Sequence, residues 1–231
     1  MFLISKYLDR IFQQTDLENR RVIFSLLEHN RDAKLLDLGC GDGSFTLMVA
    51  ERIGTKDIYG IDTVRENVTK AKEKGIVAYP GDLNEKLPFE DESFDVIHAN
   101  QIIEHLSNTD LFIRELHRVC RKRGYCIVST PNLASLHNIL YLLFGKQPPT
   151  VMLSDRIVNG KEVSQLEGPR HRRIFTLTGL SELCAYHGFQ VVEIRYAGYY
   201  PLPVLLARVM CFIDKNHSAY ITVKVRRFDS R

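Results

Sequence analysis

The chain has 231 residues, which fits one α/β domain with an elaboration better than two full domains. Its 45% hydrophobic and 26% charged content is ordinary for a globular protein, and a formal net charge of +3 does not demand a nucleic acid as partner. Five scattered cysteines (Cys40, Cys120, Cys126, Cys184, Cys211) include no C-x-x-C pair and sit mostly in apolar surroundings, which reads as reduced core thiols in a cytoplasmic protein.

Residues 1–30 read as an N-terminal helical segment, with Phe2, Leu8, Ile11 and Phe12 near helical spacing. Lys6, Asp9 and Arg10 interrupt its apolar start too early for a signal peptide. A short strand over 34–38 ends in glycine-rich sequence, and a helix follows over 43–53. Next come a strand at 57–61, a helix at 64–74 and strands at 76–80 and 94–99. A helix at 110–119 and a strand at 125–130 complete the alternation, which predicts βαβ units and a mainly parallel, doubly wound sheet. Over 132–173 the alternation stops. Pro148, Pro149, Gly160, Gly168 and Pro169 mark this stretch as an inserted cap after the fifth strand. A helix over 178–187 then precedes strands at 190–196 and 220–225, which form an antiparallel pair at one sheet edge. The apolar stretch between them, 201–213, holds Pro203 and Arg208 and is too short to span a bilayer. With no repeat in view, residues 1–231 read as a single domain.

The segment Leu35-Leu36-Asp37-Leu38-Gly39-Cys40-Gly41-Asp42-Gly43 follows a strand and opens a helix, the context that gives a glycine-rich loop meaning. Gly39 and Gly41 let the turn close tightly and let a ligand lie against the backbone. Asp62 ends the second strand about 20 residues beyond Gly39, where a carboxylate can accept both hydrogen bonds of a ribose diol, and Thr63 follows it. Asp82 follows the third strand in Gly81-Asp82-Leu83, where an acceptor meets an adenine amino group with Leu83 against the ring. Taken singly, Asp37 and Asp62 also suit helix caps and Asp82 a turn. Their shared position at the carboxyl ends of consecutive strands favours a ligand site.

On these residues the sequence resembles the Rossmann-like class I S-adenosylmethionine-dependent methyltransferases. The resemblance is strongest over 34–131 and extends to Leu87-Pro-Phe, Ser93-Phe-Asp-Val-Ile, Ile103-Glu-His-Leu106 and Ser129-Thr-Pro-Asn132. These last features are similar to quinone-biosynthesis and other small-molecule, glycan and lipid methylators. The resemblance implies a seven-stranded sheet of order 3-2-1-4-5-7-6 and S-adenosylmethionine as cofactor. It places Asp37, Gly39 and Gly41 along the methionine and ribose, Asp62 on the ribose hydroxyls, and Asp82 with Leu83 on the adenine. Asn100 then stands near the methionine moiety or the acceptor.

Methyl transfer from a sulfonium is an in-line displacement, so the enzyme mostly supplies alignment. A base helps when the acceptor is a hydroxyl. Gln101, Glu104 and His105 share one face if they are helical, and His105, with Glu104, is the candidate for catalysis. The alternative is that the pair only orients the loop. Glu104, His105 and a distant His171 also resemble the metal ligands of small-RNA 3′-end 2′-O-methyltransferases and of some ubiquinone-pathway enzymes. Those families carry a carboxylate where this chain has Gln101, and no metal is assigned. His98 reads as a core histidine, and His117 and His187 as surface residues of helices. Arg170, Arg172 and Arg173 suit either an anionic acceptor or a solvated patch.

The expected function is methylation of a small-molecule, glycan or lipid-linked acceptor, with oxygen favoured and peripheral membrane contact left open. An RNA methyltransferase is disfavoured, because the fourth strand ends Ala99-Asn-Gln-Ile and no aromatic-rich basic stripe is present. A non-catalytic S-adenosylmethionine-binding module is the remaining alternative. Residues 132–173 and 198–214 are expected to form the acceptor pocket, for an acceptor with an apolar part.

Overall fold

Helix α1 (Phe2–Leu26) opens the chain in the computed structural model, which describes residues 2–152, 154, 157–158, 161–162 and 171–227. Met1, Gly160, Gly168, Pro169 and Arg170 lie outside the described residues. Ile11, Thr15, Asn19, Ile23 and Leu26 are buried along α1 at intervals of three and four, a single stripe turned toward the sheet. The helix stops at Leu26, short of the expected 30.

The strands are β1 (Lys34–Leu38), β2 (Asp57–Asp62), β3 (Val77–Pro80), β4 (Phe94–Asn100), β5 (Cys120–Pro131), β6 (Phe189–Ala197) and β7 (Tyr220–Arg227). Between them lie α2 (Ser44–Ile53), α3 (Arg65–Glu73), α4 (Thr109–Val119), α5 (Leu136–Leu143), α6 (Leu177–Tyr186) and α7 (Val204–Ile213). One sheet holds the seven strands in the order β3-β2-β1-β4-β5-β7-β6, as expected. β1 to β5 are parallel, and β7 runs antiparallel to both β5 and β6.

The order reverses at β1. From there β2 and β3 extend one way and β4 and β5 the other, so the carboxyl ends of β1 and β4 flank the crevice where such sheets bind ligands. Their register pairs Asp37 with His98 and Leu38 with Ala99. Strand β1 is apolar without alternation because it is covered on both faces. Leu36 and Leu38 pack with Ile97, Val128 and the helices α4 and α6, while Leu35 packs with Val96, Ile127 and the helices α1 and α2.

Two expectations change. β5 begins at Cys120, which pairs with Phe94, so the strand expected from 125 also takes in Arg121, Lys122 and Arg123. The insertion is not devoid of regular structure, since α5 lies within it and Ile157–Val158 pairs with Lys161–Glu162. Among the described residues no helix is long and apolar enough to cross a membrane.

Candidate functional site

β1 ends at Leu38 and α2 starts at Ser44, leaving 39–43 as the loop between them. The backbone N–H groups of Gly39 and Cys40 both donate to the Ile61 carbonyl, at 2.8 and 3.0 Å, so the loop leans on β2. Gly39 has φ +77°, and a Cβ there would overlap the Ile102 side chain. Only glycine meets both conditions. Gly41 has φ +54°, and a Cβ added to it meets nothing within 4 Å, so this part of the loop faces open space.

Asp37 lies under the loop rather than on its surface. His98 donates from Nδ1 to one carboxyl oxygen at 2.7 Å, and the Thr46 hydroxyl donates to the other. With 3% of Asp37 exposed, these contacts join β1, β4 and α2 beneath the loop. His98 is buried as expected, yet its Nε2 has no hydrogen-bond partner.

Asp62 stands at the end of β2. Its Oδ2 accepts from the Gly41 N–H and its Oδ1 from the Val64 N–H, each at 2.9 Å, which holds the carboxylate at the mouth of the glycine loop. Oδ1 also accepts from Asn67 Nδ2 at 3.5 Å, and Oδ2 keeps a lone pair for a further donor. Thr63, Gly81, Asp82 and His105 line a neighbouring groove of about 800 Å³. Asp82 Oδ1 accepts from the backbone and side-chain amides of Asn84, leaving Oδ2 for a ligand. Leu83 is 5% exposed and packs into the core, so little of it is presented to the groove.

Asn100 ends β4 and accepts at Oδ1 from Asn19 Nδ2 at 3.0 Å. Asn19, fully buried on α1, in turn accepts from the hydroxyls of Ser129 and Thr222. The first helix thus orients the residue at the strand end, a role that nothing local to Asn19 signals.

Gln101, Glu104 and His105 do not share a helical face. Gln101 has φ +58°, and only Ile103–His105 forms a 3-10 turn. The physical reason is the cap of α4, where Asn108 accepts from the Leu111 N–H and starts the helix at Thr109, which leaves 101–107 as connection. Glu104 is nevertheless fully buried. The Thr130 hydroxyl donates to Glu104 Oε2 at 3.0 Å, while Oε1 has no hydrogen-bond partner. Burial pushes the Glu104 carboxyl up to about 7.

The end of the insertion folds back here. The Arg172 and Arg173 N–H groups donate to the Glu104 carbonyl at 2.6 and 3.0 Å, which sets His171 beside His105 with ring centroids 5.0 Å apart. Glu104, His105 and His171 offer three ligand atoms within 4.8 Å of one another. Burial, reinforced by His105, holds His171 below the usual imidazole range, and its Nδ1 donates to the Thr150 carbonyl at 3.2 Å. Of the cap arginines, Arg173 binds the Ser107 carbonyl and Arg172 lines the groove.

A second cavity, of about 360 Å³, opens on the other side of His171. Its lining is mostly apolar and includes Phe12, Pro131, His137, Tyr200 and Tyr220. It draws on the insertion and on the segment before α7, as expected, and also on α1. Leu140, within the insertion, lies outside its lining on an exposed part of α5.

The model of a family described as a methyltransferase domain matches residues 29–167. A Mycolicibacterium smegmatis protein named "Probable S-adenosylmethionine-dependent methyltransferase" is 30% identical over 181 residues, covering 74% of this chain and 67% of that one. The mitochondrial ubiquinone biosynthesis O-methyltransferase of Rattus norvegicus is 27% identical over 161 residues, or 64% of this chain, and the match spans 46% of that protein. Among solved structures, an S-adenosylmethionine-dependent methyltransferase from Mesorhizobium loti superposes with a TM-score of 0.61 at 19% identity, covering 92% of this chain and 98% of the other.

Proposed function

The chain belongs to the S-adenosylmethionine-dependent methyltransferases, and from that premise we propose that it methylates an oxygen of a small, largely apolar acceptor held in the 360 Å³ cavity. The observation that carries this reading is the meeting of two spaces at one cluster. His105 lines the groove, His171 lines the cavity, and the two rings are neighbours.

The site fits the cofactor. Gly41 presents an open backbone face, the Asp62 carboxylate stands at the loop mouth, and Asp82 offers an oxygen in the groove. In this reading Asp62 takes the ribose hydroxyls and Thr63 and Asp82 flank the adenine. Gly39, Gly41 and Asn100 border the methionine end, and Leu83 supports the groove from below. S-adenosylmethionine supplies an electrophilic methyl group, and the protein's task is to align the acceptor oxygen and remove its proton. Glu104 with His105 is the proton-accepting pair, because the raised carboxyl of Glu104 can exchange a proton near neutral pH.

The printed name of the rat relative, an O-methyltransferase, supports oxygen as the methylated atom. The apolar lining favours an aromatic or lipid-linked acceptor over a glycan. Exposed Leu143 and Phe144 at the end of α5, with Leu205 and Phe212 on α7, support peripheral membrane contact. Five cysteines without a disulfide support a reducing, cytoplasmic compartment.

Transfer of labelled methyl groups from S-adenosylmethionine to a panel of phenols, amines and thiols tests the proposal. Phenols should be labelled, and Glu104→Gln should lower turnover by about 10²–10⁴-fold. Labelling of amines alone, with Glu104→Gln fully active, would contradict it.

A second reading is favoured by the convergence of Glu104, His105 and His171, which would hold a divalent cation. The donors fit, being two imidazoles and a carboxylate whose Oε1 is buried without a hydrogen-bond partner. A bound cation would lower the pKa of an acceptor hydroxyl. Activity should then fall in chelator and return with added divalent ion, and full turnover in chelator removes this reading.

A further inference from the structure

Asn84 ties the Asp82 side of the groove to the turn that carries Glu104 and His105. Its Nδ2 and its backbone N–H both donate to Asp82 Oδ1, each at 2.8 Å. Its Oδ1 accepts from the Ser107 N–H at 2.8 Å, the Ser107 hydroxyl at 2.9 Å and the Asn108 N–H at 3.1 Å. A backbone N–H only donates and a carboxylate only accepts, so these partners fix the amide in one orientation.

The link spans the sheet. β3 and β4 stand three strand spacings apart, about 14 Å, with β2 and β1 between them. The loop after β3 and the connection after β4 nevertheless meet at Asn84 and Ser107, and both residues line the groove. Ser107 is engaged on its other side as well, since its carbonyl accepts from Arg173 Nη2 at 3.1 Å. Arg173 also gives its backbone N–H to the Glu104 carbonyl at 3.0 Å. The turn over 104–107 is therefore held between Asn84 and the end of the insertion, and the hold from Asn84 leads on to a carboxylate that lines the groove. Capping of α4 does not account for Asn84, because the side chain that caps this helix is Asn108, which accepts from the Leu111 N–H.

We propose that Asn84 is a positioning residue that couples adenine binding at Asp82 to the placement of the Glu104–His105 turn. The proposal rests on the reading of the groove as the cofactor site. A ligand that donates to Asp82 Oδ2 fixes a carboxylate exposed at the groove, and the Asn84 amide passes that constraint to Ser107. Coupling of this kind is reciprocal, so a well-placed turn also favours the adenine.

Methyl NMR of the full chain titrated with adenosine tests this, because adenosine carries the adenine without the methionine end. The reporter is the Ile103 δ1-methyl, buried within the turn and identified as the signal missing from Ile103→Val. Adenosine should shift the Ile103 signal in wild type. Asn84→Ala keeps the backbone bond to Asp82 and removes all three bonds from 107 and 108. It should bind adenosine within about threefold of wild type and lose the Ile103 shift. Asn84→Asp keeps acceptors for 107 and 108 but sets a second carboxylate against Asp82. Adenosine should bind this variant about tenfold more weakly, with the Ile103 signal of the free protein in its wild-type place. This second variant carries the test if Asn84→Ala folds poorly.

A shift that persists in Asn84→Ala, or adenosine that binds wild type without moving Ile103, overturns the coupling and leaves the cofactor site standing. Unchanged adenosine affinity in Asn84→Asp overturns the link to Asp82. S-adenosylhomocysteine is titrated in parallel. If it binds wild type and adenosine does not, the coupling alone is overturned; if neither binds, the cofactor site falls and the coupling with it.

Discussion

His98→Leu tests whether the floor of the cofactor loop is held by the buried contact between His98 and Asp37. The two side chains meet at 2.7 Å with 1% and 3% of their residues exposed. Removing one partner of a buried, charge-bearing pair costs about 3–5 kcal/mol, because the other is stranded in the interior. Two features reduce that here. His98 Nε2 is already buried without a partner, so losing the ring also removes an unsatisfied group, a relief of about 1–3 kcal/mol. Asp37 also keeps its bond from Thr46. A net loss of about 2 kcal/mol follows, which at this chain length lowers the melting temperature by roughly 4–8 °C. Differential scanning calorimetry measures the shift, and titration with S-adenosylmethionine measures the consequence for the loop. Affinity should fall as well, since Asp37 positions the strand from which Gly39 emerges. A melting temperature and an affinity both equal to wild type would refute the reasoning.

Gly39→Ala should destabilise the protein and weaken the cofactor, because it adds a Cβ at φ +77° against Ile102; the left-handed backbone alone costs about 1–2 kcal/mol. A fully stable variant with normal affinity would show that the loop has another conformation within reach. Glu104 sets a pH dependence. Its folded pKa is raised from 4.5 to about 7, so the stability linked to it is fully present below about 4.5 and is lost as pH rises through 7. Activity, which needs the carboxylate, should rise over the same window. Glu104→Gln should flatten both profiles, and a variant that retains both slopes would contradict the assignment.

The sheet and the glycine-rich loop after β1 were legible because their signals are local. The run Leu35 to Leu38, the glycines after it and the acids at Asp62 and Asp82 can be read from short stretches of chain. What escaped depends on residues distant in sequence. His98 gains its partner from β1, and Asn19 reaches Asn100 from the first helix. Phe12 and Thr15 line the 360 Å³ cavity for the same reason, since α1 packs back over the strand ends. Gln101 was misread for a different cause. Its spacing to Glu104 and His105 suits a helix, but α4 begins only after its Asn108 cap, and Gln101 takes a left-handed backbone ahead of a short 3-10 turn. The His105–His171 pair was legible only by resemblance, because the backbone bonds from Arg172 and Arg173 to Glu104 that create it leave no pattern in the sequence.

Calorimetric titration of S-adenosylmethionine into wild type and Asp62→Ala tests the central claim most directly. The Asp62 carboxylate is held at the loop mouth by the Gly41 and Val64 N–H groups, and a charge-assisted bond to a ribose hydroxyl contributes about 1.5–3 kcal/mol. Wild type should bind one equivalent, and Asp62→Ala should bind roughly 10–150-fold more weakly. Failure of the wild type to bind, or equal affinity in the two proteins, would contradict a cofactor site at the carboxyl ends of β1 and β2.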